Sequence, residues 1–246
     1  MKNAIINKLI GLLRPKMNFF AGEIALGTLT DLWNSLDLSA MLSALMRLIA
    51  VFLCLTVHET CHGLAAYALG DPTAKREHRL SLNPLHHIDW VGLACMLLLG
   101  FGWAKPVPVD MRYFKKPKQG MALTALAGPV SNFVLAVLAL FCAKPFFTLT
   151  GGAYRSELLF NFLITTAYLS VGLGLFNLIP ISPLDGSKVL FAFLPDAAYE
   201  KLMRYEKYGM VVLLVLVWLG VGDNALGTAI YKVYATMINF VFRGIV

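Results

Sequence analysis

Residues 48–69 read LIAVFLCLTVHETCHGLAAYAL, an apolar run that carries two imidazoles and a carboxylate, His58, Glu59 and His62, in its middle. At 1.5 Å per residue a helix of this length covers about 33 Å, close to one hydrocarbon thickness, so the run predicts a membrane-spanning helix. Arg47 and Asp71 bracket it. Ionisable groups at that depth are costly to insert, and by default they mark a functional site.

The composition agrees with a membrane protein. Of 246 residues, 58% are hydrophobic and only 14% charged, against about a quarter charged in a soluble domain. No long polar stretch separates the apolar runs, so the chain reads as one membrane-embedded domain, residues 38–246 with a core at 48–195. It is preceded by an N-terminal extension, residues 1–37. That extension, which begins MKNAIINKLIGLLRPKMNFF, is broken by Lys8, Arg14 and Lys16 and lacks a small-residue cleavage site. It reads as an amphipathic interfacial segment rather than a cleaved signal peptide. The net charge of +7 comes from Lys and Arg in short loops between apolar segments. This is the pattern of loops beside anionic lipid, and it argues against a nucleic-acid partner. The four cysteines, Cys54, Cys61, Cys95 and Cys142, lie in or against apolar segments without CxxC spacing and read as reduced packing residues.

Further spans are expected at Met121–Cys142 and Leu158–Ile179, with weaker ones in MVVLLVLVWLGVG (210–222) and ALGTAIYKVYATMINFVF (225–242). Between the first two strong spans, WVGLACMLLLGFGW (90–103) is too short for a comfortable crossing and runs into AKPVPVDM, whose prolines forbid a helix interior. A re-entrant piece followed by an extended edge segment is expected there; a second crossing is the alternative. The expected fold is therefore all-α and polytopic, a bundle of about five to six transmembrane helices. It includes a broken helix at the active site and a short membrane-associated β strand or re-entrant segment. The breakage falls at NLIPISPLDG (177–186), where prolines and a glycine interrupt apolar sequence. Such backbone is tolerated at membrane depth only where protein or a water-filled cavity satisfies it. Lys105, Arg112, Lys115, Lys116 and Lys118 share a side with Lys188, Lys201, Arg204 and Lys207 if the two spans from Met121 and Leu158 each cross once, and that side is expected to be cytoplasmic.

Of fourteen Asp and Glu residues, Glu59 and Asp185 sit deepest in apolar sequence. His58 and His62, four apart, share a helix face and are spaced to hold one metal ion. Glu59 projects about 100° away, which suits a base toward water at the metal rather than a ligand, the HExxH arrangement of zinc hydrolases. Asp185 is the natural third ligand, with helix capping beside Gly186 as its other reading. His78 reads as solvated, and His86 and His87 point apart and make interfacial hydrogen bonds. Asn132 is an amide on a spanning helix, either helix-to-helix glue or a substrate-orienting group.

Four stretches in this order, HETCHGLAAYALGDPTAKREHRLSLNPLHHID (58–89), GWAKPVPV (102–109), MALTALAGPVSNFVLA (121–136) and FNLIPISPLDGSKVL (176–190), resemble the site-2 protease family of intramembrane metalloproteases. The resemblance is to the compact prokaryotic branch that lacks a PDZ domain. It implies an intramembrane zinc endopeptidase with one Zn2+ per chain, held by His58, His62 and Asp185. Glu59 would be the catalytic acid and base, and Asn132 a candidate for contacting the substrate carbonyl or its oxyanion. It also implies transmembrane segments of other membrane proteins as substrates, and a place in the prokaryotic inner membrane with the site open to the cytoplasm. GWAKPVPV looks like the family's membrane-associated strand. Trp90 and Asp110 depart from the residues common in relatives, Pro and Asn, and both lie outside the expected zinc site. From another class, a membrane metal transporter would use the same ligands without needing Glu59, and a catalytically silent scaffold would need none of them. Substrate identity and oligomeric state leave no mark in the sequence.

Overall fold

A computed structural model describes residues 38–99, 102–149 and 157–243; the expected N-terminal extension, 1–37, lies outside the described residues. Helix α1 (Leu38–Ala68) is longer than its apolar core required. Among the described residues it already covers the ten before Leu48, LSAMLSALMR, which contain no proline or glycine. It ends in a Schellman turn: Gly70 takes φ +108°, Asp71 N–H donates to the Ala66 carbonyl and Gly70 N–H to that of Tyr67. This turn draws Asp71 under the protein, where it is fully buried.

After a short helix α2 (Thr73–Arg76) the chain reaches α3 (Trp90–Leu99), ten residues that are too few to cross a bilayer. Ile88 and Ala104 form an isolated antiparallel bridge, so the two ends of this segment lie side by side, as a re-entrant piece requires. The following residues are extended but form no regular strand. Pro106 and Pro108 carry no N–H for a ladder.

Helix α4 (Pro117–Leu149) and helix α5 (Glu157–Asn177) form the centre of the bundle, with α4 continuing through Pro129 and Pro145. Small residues on α4, among them Ala136, Ala139 and Ala143, let α5 and the C-terminal helix approach closely and pack against Ile164, Ile230 and Ile238. Past the broken stretch come α6 (Asp185–Phe191), α7 (Asp196–Trp218) and α8 (Asp223–Val241). Helix α1 packs on α4 and α5, and α6 packs on α4, so the two parts of the sequence that carry ionisable groups meet across α4.

Among the described residues three helical stretches are long and apolar enough to cross a membrane, Met41–Ala68, Pro117–Phe146 and Leu158–Asn177. A fourth is reached if Tyr208–Trp218 and Asp223–Val241, bent by 88°, count as one span. The expected five to six had counted those last two segments separately and left room for a crossing by the N-terminal extension or the segment at 90–103.

Candidate metal centre

His58 and His62 project from consecutive turns of α1, and Asp185 is the first residue of α6. Asp185 reaches that place because the chain doubles back tightly after α5: a Cβ on Gly186 would stand 2.2 Å from the Leu178 carbonyl oxygen, so only glycine fits beside it. Its carboxylate is turned to the histidines rather than to the helix start. His58 Nε2 lies 3.1 Å and His62 Nε2 3.2 Å from the same oxygen, Asp185 Oδ2, and the two nitrogens are 3.0 Å apart. All three residues are buried. Among the described residues they form the one His, Cys, Asp and Glu cluster able to hold a metal ion.

The donor set fits zinc. Four-coordinate zinc with ligands at about 2.0 Å has ligand-to-ligand edges of about 3.3 Å, close to the three edges found here. The tautomer of His62 is determined by its other nitrogen. Nδ1 lies 2.7 Å from the Thr124 carbonyl, which can only accept, so Nδ1 carries the proton and Nε2 presents a lone pair toward Asp185 and His58. Gly128 fills the remaining requirement for space: a Cβ there would lie 2.4 Å from His62 Nε2 and 2.7 Å from His58 Cε1.

Glu59 lies beside these ligands on a cavity of about 570 Å³, whose walls include Trp103, Val107, Thr124 and Asp185. Its Oε2 accepts the backbone N–H of Val107 at 3.0 Å. The extended segment is tied down at two further points: Asp71 Oδ2 accepts Asp110 N–H at 2.7 Å, and Arg79 donates to the Lys105 carbonyl at 2.7 Å. The general-base candidate is thus held by backbone that α1 and its following loop hold in turn.

Asn132 does not line this cavity. It is fully buried behind His58, with Nδ2 3.1 Å from His58 Nδ1 and Oδ1 without a partner. Cys61 stands outside the ligand cluster. His87 is buried against the Ser81 carbonyl and Thr60, whereas His78 and His86 are exposed. Sequence reasoning missed Asp71, Thr124, Val107 and Asn177, which lines the cavity while donating to the Leu173 carbonyl.

Comparison with known proteins is consistent with this chemistry. Residues 143–220 match the family model of peptidase family M50, a stretch that includes Asp185 and not the histidines. Among relatives named as zinc metalloproteases, YwhC of Bacillus subtilis (strain 168) is 40% identical over 186 residues, covering 73% of this chain and 81% of the relative. Rip2 of Mycolicibacterium smegmatis is 28% identical over 167 residues, 66% of this chain and 62% of the relative. MJ0392 of Methanocaldococcus jannaschii is 35% identical over 80 residues, 32% of this chain and 22% of the relative. No solved structure gives a significant match.

Proposed function

This chain belongs to peptidase family M50, the site-2 proteases, and from that premise we propose that it cuts peptide bonds within or near the transmembrane segments of other membrane proteins, in regulated intramembrane proteolysis. It is an integral membrane zinc metalloprotease. The single observation that supports the finer reading best is the triangle of His58 Nε2, His62 Nε2 and Asp185 Oδ2, buried among spanning helices, with the Glu59 carboxylate on the adjoining cavity.

In this reading His58, His62 and Asp185 hold the zinc ion. Bound there, zinc supplies Lewis acidity that brings the pKa of water toward neutrality and polarises a carbonyl. Glu59 handles the protons: it takes one from the attacking water and delivers it to the nitrogen of the scissile bond as the amine leaves. Val107 N–H keeps one carboxylate oxygen in place, so the side chain does not lose its orientation between the two transfers. A helix keeps its amides closed in internal hydrogen bonds, so none of them is open to attack. Substrates must therefore unwind locally. The basic loops beside the site support a cytoplasmic opening in the prokaryotic inner membrane.

The test is cleavage of a panel of single-span peptides by purified protein in lipid, with zinc content measured for wild type, Glu59→Gln and Asp185→Ala. Cutting by wild type alone, with zinc kept in Glu59→Gln and lost in Asp185→Ala, is expected. Cutting by Glu59→Gln at the wild-type rate would remove its assigned role, and zinc flux without cutting would favour a transporter.

A further inference from the structure

Asn132 reaches neither the cavity nor another helix's backbone; its amide is turned wholly to His58. The chemistry of His58 decides what that contact must be. Its Nε2 is the atom 3.1 Å from Asp185 Oδ2 and 3.0 Å from His62 Nε2, so Nε2 is the ligand atom and needs a free lone pair. A neutral imidazole with a lone pair on Nε2 carries its proton on Nδ1. An amide nitrogen facing Nδ1 would bring a donor against a donor. A half-turn about the Cβ–Cγ bond exchanges nitrogen for oxygen with almost no change in shape, and the two orientations are distinguished only by the hydrogen bonds around them. We propose that Asn132 is a positioning residue for the metal centre, its Oδ1 accepting Nδ1–H of His58 and thereby presenting Nε2 to zinc. The proposal rests on the metalloprotease reading above.

His62 makes the same arrangement from the same helix. The Thr124 carbonyl accepts its Nδ1–H, and Asn132 lies eight residues further along α4, where its side chain meets His58 one turn earlier in α1. One stretch of α4, residues 124–132, therefore determines which nitrogen each histidine offers, through a backbone carbonyl at Thr124 and a side chain at Asn132. The buried position excludes water from taking over the role.

The experiment measures zinc affinity, by competition with a calibrated chelator in detergent micelles, for wild type, Asn132→Asp and Asn132→Leu, and records cleavage alongside. Asp keeps an acceptor in the same place; Leu keeps the volume and removes it. Expected is a loss of about 10- to 100-fold in zinc affinity for Asn132→Leu, with Asn132→Asp restored to within a few-fold of wild type and still cutting. Histidine 15N spectra supply a readout that packing alone does not move: the His58 Nδ1–H signature persists in Asn132→Asp and is lost in Asn132→Leu. Zinc affinity in Asn132→Leu equal to wild type, or Asn132→Asp as weak as Asn132→Leu, overturns the proposal. Failure of wild type itself to bind zinc overturns the metalloprotease reading instead, so the two failures are distinguishable.

Discussion

Replacing Gly128 by alanine tests the geometry of the metal centre with a single methyl group. The added Cβ would lie 2.4 Å from His62 Nε2, 2.5 Å from His62 Cε1 and 2.7 Å from His58 Cε1. Ordinary contact between such atoms is about 3.5 Å, so the ring of His62 must retreat by roughly 1 Å. It has no slack in which to do so. Its Nδ1 is bonded to the Thr124 carbonyl on the same helix that carries the new methyl, and its Nε2 is one corner of the ligand triangle. Metal sites tolerate deviations of only about 0.2 Å in ligand distance, so a 1 Å shift removes one ligand or breaks the bond that orients it. Losing an orienting partner alone costs about 10- to 100-fold in affinity. A fall of at least about 100-fold, some 2.7 kcal/mol, is therefore expected for Gly128→Ala.

Alanine is also a better helix former than glycine by up to about 1 kcal/mol, so α4 itself is not weakened by its backbone preference. The expected result is a protein that keeps its helical content in detergent, binds zinc poorly in chelator competition and no longer cuts. Gly227→Ala is the control, since nothing lies within 4 Å of a Cβ at that position in α8. If Gly128→Ala binds zinc within about three-fold of wild type, the close approach of α4 to the two rings is not what the structure gives, and the reasoning fails.

Val107→Pro removes the N–H that holds Glu59 Oε2 while leaving both histidines and Asp185 untouched. A hydrogen bond to a charged group contributes about 1.5–3 kcal/mol, so turnover should fall by roughly 10- to 100-fold with zinc affinity unchanged, read by cleavage rate beside metal content. Asp71→Ala leaves the partly buried Asp110 and Thr73 N–H groups without the fully buried carboxylate that accepts them. At about 1–3 kcal/mol for each unpaired group, thermal unfolding should shift several degrees downward. An unchanged midpoint would mean that the extended segment does not depend on this anchor.

The chemistry of the site was legible where a residue's meaning is local, and illegible where it depends on which face of one helix meets another. HETCH could be read because two imidazoles four apart on a helix share a face whatever surrounds them. Asp185 could be read because a carboxylate inside broken apolar sequence needs a partner. Asn132 had two readings because an amide on a spanning helix can turn in any direction, and only the packing of α1 on α4 directs it to His58. Asp71 looked like an ordinary flanking residue; the left-handed turn at Gly70 is what carries it into the interior. The span expected at Leu48–Leu69 lies within a longer helical stretch, because hydropathy marks the bilayer and says nothing of where a helix stops. The short segment at 90–103 could not be assigned from length alone, and the pairing of Ile88 with Ala104 bears on it by contact across residues far apart in sequence.

The supports of the site divide between two parts of the chain. The groups facing Nδ1 of the two histidines, the Thr124 carbonyl and the Asn132 amide, come from α4, as does the space that Gly128 leaves beside the two rings. The group that orients Glu59 comes instead from the extended segment, which is secured by Asp71 and Arg79. The candidate ligands and the Glu59 carboxylate are therefore held by different structural elements, although His58 and Glu59 are neighbours in sequence. Trp103 and Val107 line the cavity, and Asn132 does not. The separation has a measurable consequence in double substitutions. Val107→Pro and Gly128→Ala should show independent effects on turnover and on zinc affinity, because Val107 N–H holds Glu59 whereas Gly128 faces the two histidine rings. Strong coupling between them in zinc affinity, beyond about 0.5 kcal/mol, would show that the two supports are one.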